Sequence, residues 1–110
     1  MARKGKEAEK AAERHLESKG HHLLTRNYHC YRGEIDLITF DGGYVVFVEV
    51  KKRGKASYLT PEQALTEQKK ERLIKCSQRW IMENDYRGDS RFDFVAVSDE
   101  AIRHYEDAFR

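Results

Sequence analysis

The sequence predicts an α/β fold: a central, mixed β-sheet flanked by helices. Three observations carry this. Two strand-like runs, GEIDLITF and YVVFVEVK, meet at Asp41-Gly42-Gly43; apolar residues recur at helical spacing both before and after that pair; and Phe92 to Val97 is an almost unbroken apolar run apart from Asp93, the mark of a buried strand.

The first helix is read from about Lys4 to Lys19. Ala8, Ala11, Ala12, His15 and Leu16 form a narrow apolar stripe, and Gly20 supplies a stop. Glu9 flanks the stripe, either as one more solvated glutamate or within reach of the strands. A strand from His22 to Tyr28 follows, with Cys30 to Arg32 as connection. In the hairpin, side chains alternate faces, so Glu49 and Lys51 point the same way. With Phe40 paired to Gly43 across an Asp-Gly turn, Asp36 falls opposite Phe47 and Glu34 opposite Glu49. One face then carries Ile35, Leu37, Val46, Val48 and Val50. The other carries Ile38, Phe40, Val45 and Phe47 toward the turn, and Glu34, Asp36, Glu49 and Lys51 at the far end. Lys52 to Tyr58 reads as a basic, mobile loop. Thr60-Pro61-Glu62-Gln63 has the cap, proline and capping-box glutamine of a helix start, and one long helix is expected from there to about Glu83. Its apolar positions include Leu65, Leu73, Ile74, Cys76, Trp80 and Ile81, with Trp80 expected in the core. After a turn-rich stretch and the Phe92 to Val97 strand, Ile102 to Phe109 closes the chain as an edge strand.

The charged end of the hairpin is where chemistry is expected. Glu and Lys two apart on a strand are often only a solvated pair. A neighbouring Asp changes the balance, because converging carboxylates repel unless a cation or a proton offsets them. Oxygen ligands of this kind suit a hard divalent ion such as Mg²⁺.

Composition bounds the alternatives. At 110 residues the chain is expected to be one domain, and 39% hydrophobic content in periodic array argues against disorder despite 36% charged residues. No apolar run approaches membrane-spanning length and no hydrophobic stretch follows the basic first residues, so a cytoplasmic protein without membrane contact is expected. Cys30 and Cys76 show no metal-type spacing and are read as reduced thiols, and His21-His22 as polar residues entering an edge strand. The formal charge of +2 is unevenly spread. Between Lys51 and Arg79 nine basic residues face Glu62, Glu67 and Glu71, a surplus of six that leaves −4 elsewhere. Such a concentration is the footprint of a polyanion partner.

The runs GEIDLI and FVEVK resemble the PD-(D/E)xK nuclease motif, and the chain is identified as resembling the YraN-like family of bacterial proteins, distant relatives of archaeal Holliday-junction resolvases. The match extends through Gly5, Glu9, Leu16, Gly20, Asn27, Pro61, Thr66, Lys69, Leu73, RFDFVAV from Arg91 and Asp107-Ala108-Phe109. Ile35 replaces the proline that names the motif, and Leu59 stands where many YraN-like members have glycine. The resemblance implies a restriction-endonuclease-like core and a metal-dependent nuclease acting on DNA, including branched or junction DNA. It implies Asp36 and Glu49 as Mg²⁺ ligands, with Mn²⁺ as a substitute, and Lys51 and Glu9 as further catalytic residues. Lys52, Arg53, Lys55 and Lys69 are expected to grip the nucleic-acid backbone, and Glu34 to serve as an outer ligand. Resolvase-like relatives act as dimers, so a homodimer is a further implied state. The rival reading is a nucleic-acid-binding module of the same fold that does not cut.

Overall fold

The computed structural model describes residues 3–30, 32–52 and 60–109, with side chains from residue 6 onward. The elements run α1 (Arg3–Ser18), β1 (His22–Cys30), β2 (Gly33–Asp41), β3 (Tyr44–Lys52), α2 (Pro61–Ala64), α3 (Glu67–Glu83), β4 (Asp89–Val97) and β5 (Ile102–Phe109). The five strands form one sheet in the order β1-β2-β3-β4-β5. Only β3 and β4 are parallel, and the crossover between them carries α2 and α3, as a parallel connection requires. The result is a mixed sheet flanked by helices, consistent with a restriction-endonuclease-like core.

Each face of the sheet buries one helix. Ala8, Ala12 and Leu16 of α1 pack on Leu37, Val46, Val48, Val95 and Val97. On the opposite face, Leu73, Cys76 and Trp80 of α3 pack with Ile35, Ile38, Val45, Phe47, Phe94 and Phe109. Trp80 meets Phe47 edge-on at 5.9 Å between ring centroids, so it is core, as its helical spacing predicts.

The hairpin register differs by two residues from the expected one. Gly42 and Gly43 both take positive φ, 54° and 96°, and form the two-residue turn themselves, so that Asp41 pairs with Tyr44 and Leu37 with Val48. A shift of two preserves side-chain faces, so Leu37, Val46 and Val48 still share one side. Ile35 does not follow them. It joins the α3 core beside Ile38, which means that β2 changes face around Asp36.

Two other expectations are corrected. The long helix is broken at Leu65-Thr66: Thr60 caps α2 with a complete capping box, and Thr66 caps α3 by accepting from the Lys69 N–H. The second cap restarts the helix in a new direction, which lets Leu65 drop into the core at 2% exposure. Cys30 and Cys76 are not free thiols but a disulfide, with Cα atoms 5.6 Å apart. The reading from composition had no access to this proximity, since 46 residues separate the two cysteines and only the packing of α3 on the end of β1 brings them together. No described helix is long and apolar enough to cross a membrane.

Candidate functional site

The site lies where β2 and β3 part. Their ladder runs from Asp41↔Tyr44 to Leu37↔Val48. One step further, the Asp36 carboxylate takes the place of a backbone acceptor: the Val50 N–H donates to Asp36 Oδ2 at 2.8 Å. Asp36 thus reaches into the gap between the strands.

Carboxylates from three elements surround it. Ligand oxygens of Glu9 on α1 and of Glu34 and Asp36 on β2 all lie within 4.8 Å of one another. Asn27 holds two of them, its Nδ2 donating to Glu9 Oε1 at 2.8 Å and to Glu34 Oε2 at 3.0 Å. Asn27 itself has φ of 50°, a left-handed conformation that Asn tolerates better than most residues and that turns its amide off the strand. On the other side, Glu49 is buried to 8% exposure and ion-paired with Lys69 Nζ of α3 at 2.8 Å.

The electrostatics follow from this crowding. Burial, followed by the negative charge of Glu49, pushes the Asp36 carboxyl up to about 8; Glu9 and Glu34 add to the rise, and the Val50 N–H opposes it. The proton on Asp36 at neutral pH is what the metal-free site uses to relieve repulsion. For Lys69, burial favours loss of its charge, but the hydrogen bond and charge of Glu49 outweigh it and raise the ammonium pKa.

The sequence-predicted residues distribute as follows. Asp36, Glu9 and Glu34 gather at the gap, Glu34 more closely than an outer ligand; Glu49, the other expected ligand, is not one of that trio and turns to Lys69, acting on Asp36 through its charge; and Lys51 lies half-buried two residues beyond Glu49 on β3. Lys69 pairs with Glu49 rather than facing solvent alone. Lys52 is exposed at the end of β3, while Arg53 and Lys55 lie outside the described residues. Asn27 belongs to the family match, and the sequence assigns it no role. Its signal is an Asn inside a strand-forming run, where Asn is depleted unless the backbone is irregular.

A second polar cluster gathers near the turn end of the hairpin. His21, Asp93 and His104 offer ligand atoms within 4.8 Å of one another. Asp93 accepts from Arg91, from the Asp107 N–H at 3.0 Å, and pairs with His104 Nε2 at 2.7 Å. Burial alone raises its carboxyl, but His104 and Arg91 win and hold it below the ordinary value. Lys19 Nζ lies 2.8 Å from His104 Nδ1, so Nδ1 accepts and Nε2 carries the proton toward Asp93. That tautomer leaves His104 no lone pair for a metal, and the cluster acts as a satisfied buried network. His21, expected at a solvated edge, is instead 3% exposed and bonded to Thr39 Oγ1.

Comparison with known proteins adds the family. A family model described as Uncharacterised protein family UPF0102 matches residues 8–97. The UPF0102 protein of Persephonella marina is 36% identical over 107 residues, covering 96% of this chain and 92% of that protein. Its counterpart in Halorhodospira halophila is 39% identical, covering 97% and 87%, and that of Sulfurihydrogenibium sp. is 41% identical, covering 96% and 93%. With the model and the relatives both spanning most of its length, the chain belongs to the UPF0102 family, the YraN-like proteins.

Proposed function

We propose that this protein is a metal-dependent nuclease that hydrolyses phosphodiester bonds in nucleic acid, DNA in the first instance. The observation that carries the reading is the cluster of Glu9, Glu34 and Asp36 oxygens at the gap between β2 and β3, with buried Glu49 close enough for its charge to act on Asp36 and Lys69 paired to it. The donor set is all oxygen, which fits Mg²⁺ or Mn²⁺ and not a thiolate- or imidazole-seeking ion. Asp36 would be the central ligand, with Glu9 and Glu34 beside it, and Glu49 would complete the set on leaving Lys69. An ion held there would supply charge to polarise a phosphate oxygen and to lower the pKa of a coordinated water.

The chain's own groups do the rest. Asp36 would release its proton to solvent when a cation binds and would supply the charge that holds it. Asn27 fixes Glu9 and Glu34 through its amide. Lys51 places positive charge beside the scissile phosphate, where negative charge builds in the transition state. Lys69 holds Glu49, and would be released toward the nucleic-acid backbone if a metal took that carboxylate. Lys52, with Arg53 and Lys55 following it in sequence, adds attraction for phosphate that is strong and carries no sequence information.

One observation favours the rival reading of a binding module that does not cut: the Lys69–Glu49 pair already satisfies a ligand without any ion. A panel of labelled DNA and RNA structures, branched, flapped, single-stranded and duplex, incubated with Mg²⁺, Mn²⁺ or EDTA, separates the two. Cleavage of at least one structure in the presence of metal and none in EDTA is expected. Binding without cleavage under every condition would favour the module.

A further inference from the structure

Away from the carboxylate corner, basic side chains of α3 lie beside Cys30, at the end of β1, and Arg32. A cleft of about 310 Å³ there is lined by Cys30, Arg32, Arg72, Lys75 and Arg79, four cationic side chains and no carboxylate. Three of the basic residues of α3, Arg79 of the cleft among them, are answered locally: Lys69 by Glu49, Lys70 by Glu67, Arg79 by Glu83. Arg72 and Lys75 are exposed and form no ion pair or hydrogen bond with a described residue.

The disulfide explains why these charges are close. Cys76 stands between Arg72 and Arg79 on α3, and Arg32 follows Cys30 by two residues, so the covalent tie draws the two basic walls together over a sulfur floor. Like charges held in a concave surface focus the field. Arg79 is answered by Glu83 and Arg32 has contacts of its own, so Arg72 and Lys75 are the pair whose charge an anion would relieve. Guanidinium forks match the geometry of phosphate oxygens. Arg72 also lines a smaller cavity of about 80 Å³ with Gly33, Glu34, Lys69 and Leu73. Through Glu34 and Lys69, that cavity joins the cleft to the carboxylate corner. From Lys69 to Arg79 the helix rises about 15 Å, the axial rise of roughly four phosphates on one strand of B-DNA.

We propose that the cleft between α3 and the Cys30 end of β1, with Arg32, is a binding subsite for backbone phosphates, along which the nucleic-acid strand runs away from the carboxylate corner. The inference rests on the nuclease reading above and names where that substrate lies. It adds Arg32, Arg72, Lys75 and Arg79 to the interface as phosphate-binding residues.

The test is a salt titration of binding to a short fluorescent DNA duplex, in EDTA so that nothing is cut. Wild type is compared with Arg72→Ala/Lys75→Ala and with Lys10→Ala/Arg14→Ala, a charge-matched control on exposed residues of α1. All three should melt alike, since none of the substituted side chains is in the core. The α3 pair is expected to weaken binding by about tenfold or more and to flatten the salt slope by roughly two, with the control near wild type. Wild-type binding with an unchanged slope in the α3 pair would overturn the subsite and leave the nuclease reading standing. An equal loss in the control would also overturn it, because net charge would then account for binding. Failure of the wild type to bind any nucleic acid would overturn both.

Discussion

Asp36→Asn is expected to abolish metal-dependent cleavage and, at the same time, to stabilise the metal-free protein at alkaline pH. The two effects have one cause. The folded-state pKa of Asp36, raised to about 8, lies above its unfolded value, so the native protein holds a proton that the unfolded chain releases. The stability linked to that proton is fully present below the ordinary carboxyl range and is lost as pH rises through about 8. Asn cannot ionise, yet its side-chain oxygen still accepts the Val50 N–H. Above pH 8 the variant should therefore exceed wild type on the order of 2 kcal/mol, after allowing for water at the partly open gap. Saturating Mg²⁺ should reverse the order, since it stabilises only the protein that binds it. Melting curves of both proteins from pH 5 to 9, with and without Mg²⁺, measure this; parallel pH profiles would remove Asp36 as the buried, crowded carboxyl.

Cys76→Ser should produce the largest loss of stability of any single change outside the aromatic core. Closing a loop of 46 residues constrains the unfolded chain by about 4 kcal/mol in the chain-entropy description. In a domain of this size that lowers the melting temperature by roughly 10–20 °C. Dithiothreitol should lower the wild type by the same amount and leave the Cys30→Ser/Cys76→Ser variant unmoved. A wild type indifferent to reductant would mean that the two thiols stay apart in solution.

What the sequence made legible is what local pattern encodes. Alternation and helical spacing gave every strand and the two helical regions, and the family match brought Glu9 to the site although spacing alone left it open. The hairpin faces came out correctly for most residues because a register error of two leaves parity unchanged. Ile35 escaped because the face switch at Asp36 depends on a side chain, not the backbone, taking the Val50 N–H. The break between α2 and α3 was visible in principle, since Thr66 repeats the cap signal of Thr60, but periodicity across Leu65 masked it. The role of Asn27, the disulfide and the His21–Asp93–His104 network were illegible for a common reason. Each joins residues distant in sequence, and its meaning exists only once the sheet has closed.

The central claim is that Asp36, Glu49 and Lys51 form a cutting site, and single-turnover cleavage measured beside binding tests it most directly. Wild type, Glu49→Gln and Lys51→Ala are compared on the best substrate of the panel, with Mg²⁺ for cleavage and EDTA for binding. Glu49→Gln keeps the shape of a ligand and removes its charge; Lys51→Ala removes the cation beside the phosphate and leaves every carboxylate in place. Cleavage should fall by about a hundredfold or more in both, the scale seen when one electrostatic contributor to a transition state is lost. Binding should persist, because the basic surface of α3 is untouched. If wild type cuts no faster than either variant while all three are folded and bind the substrate, the corner is not a nuclease site.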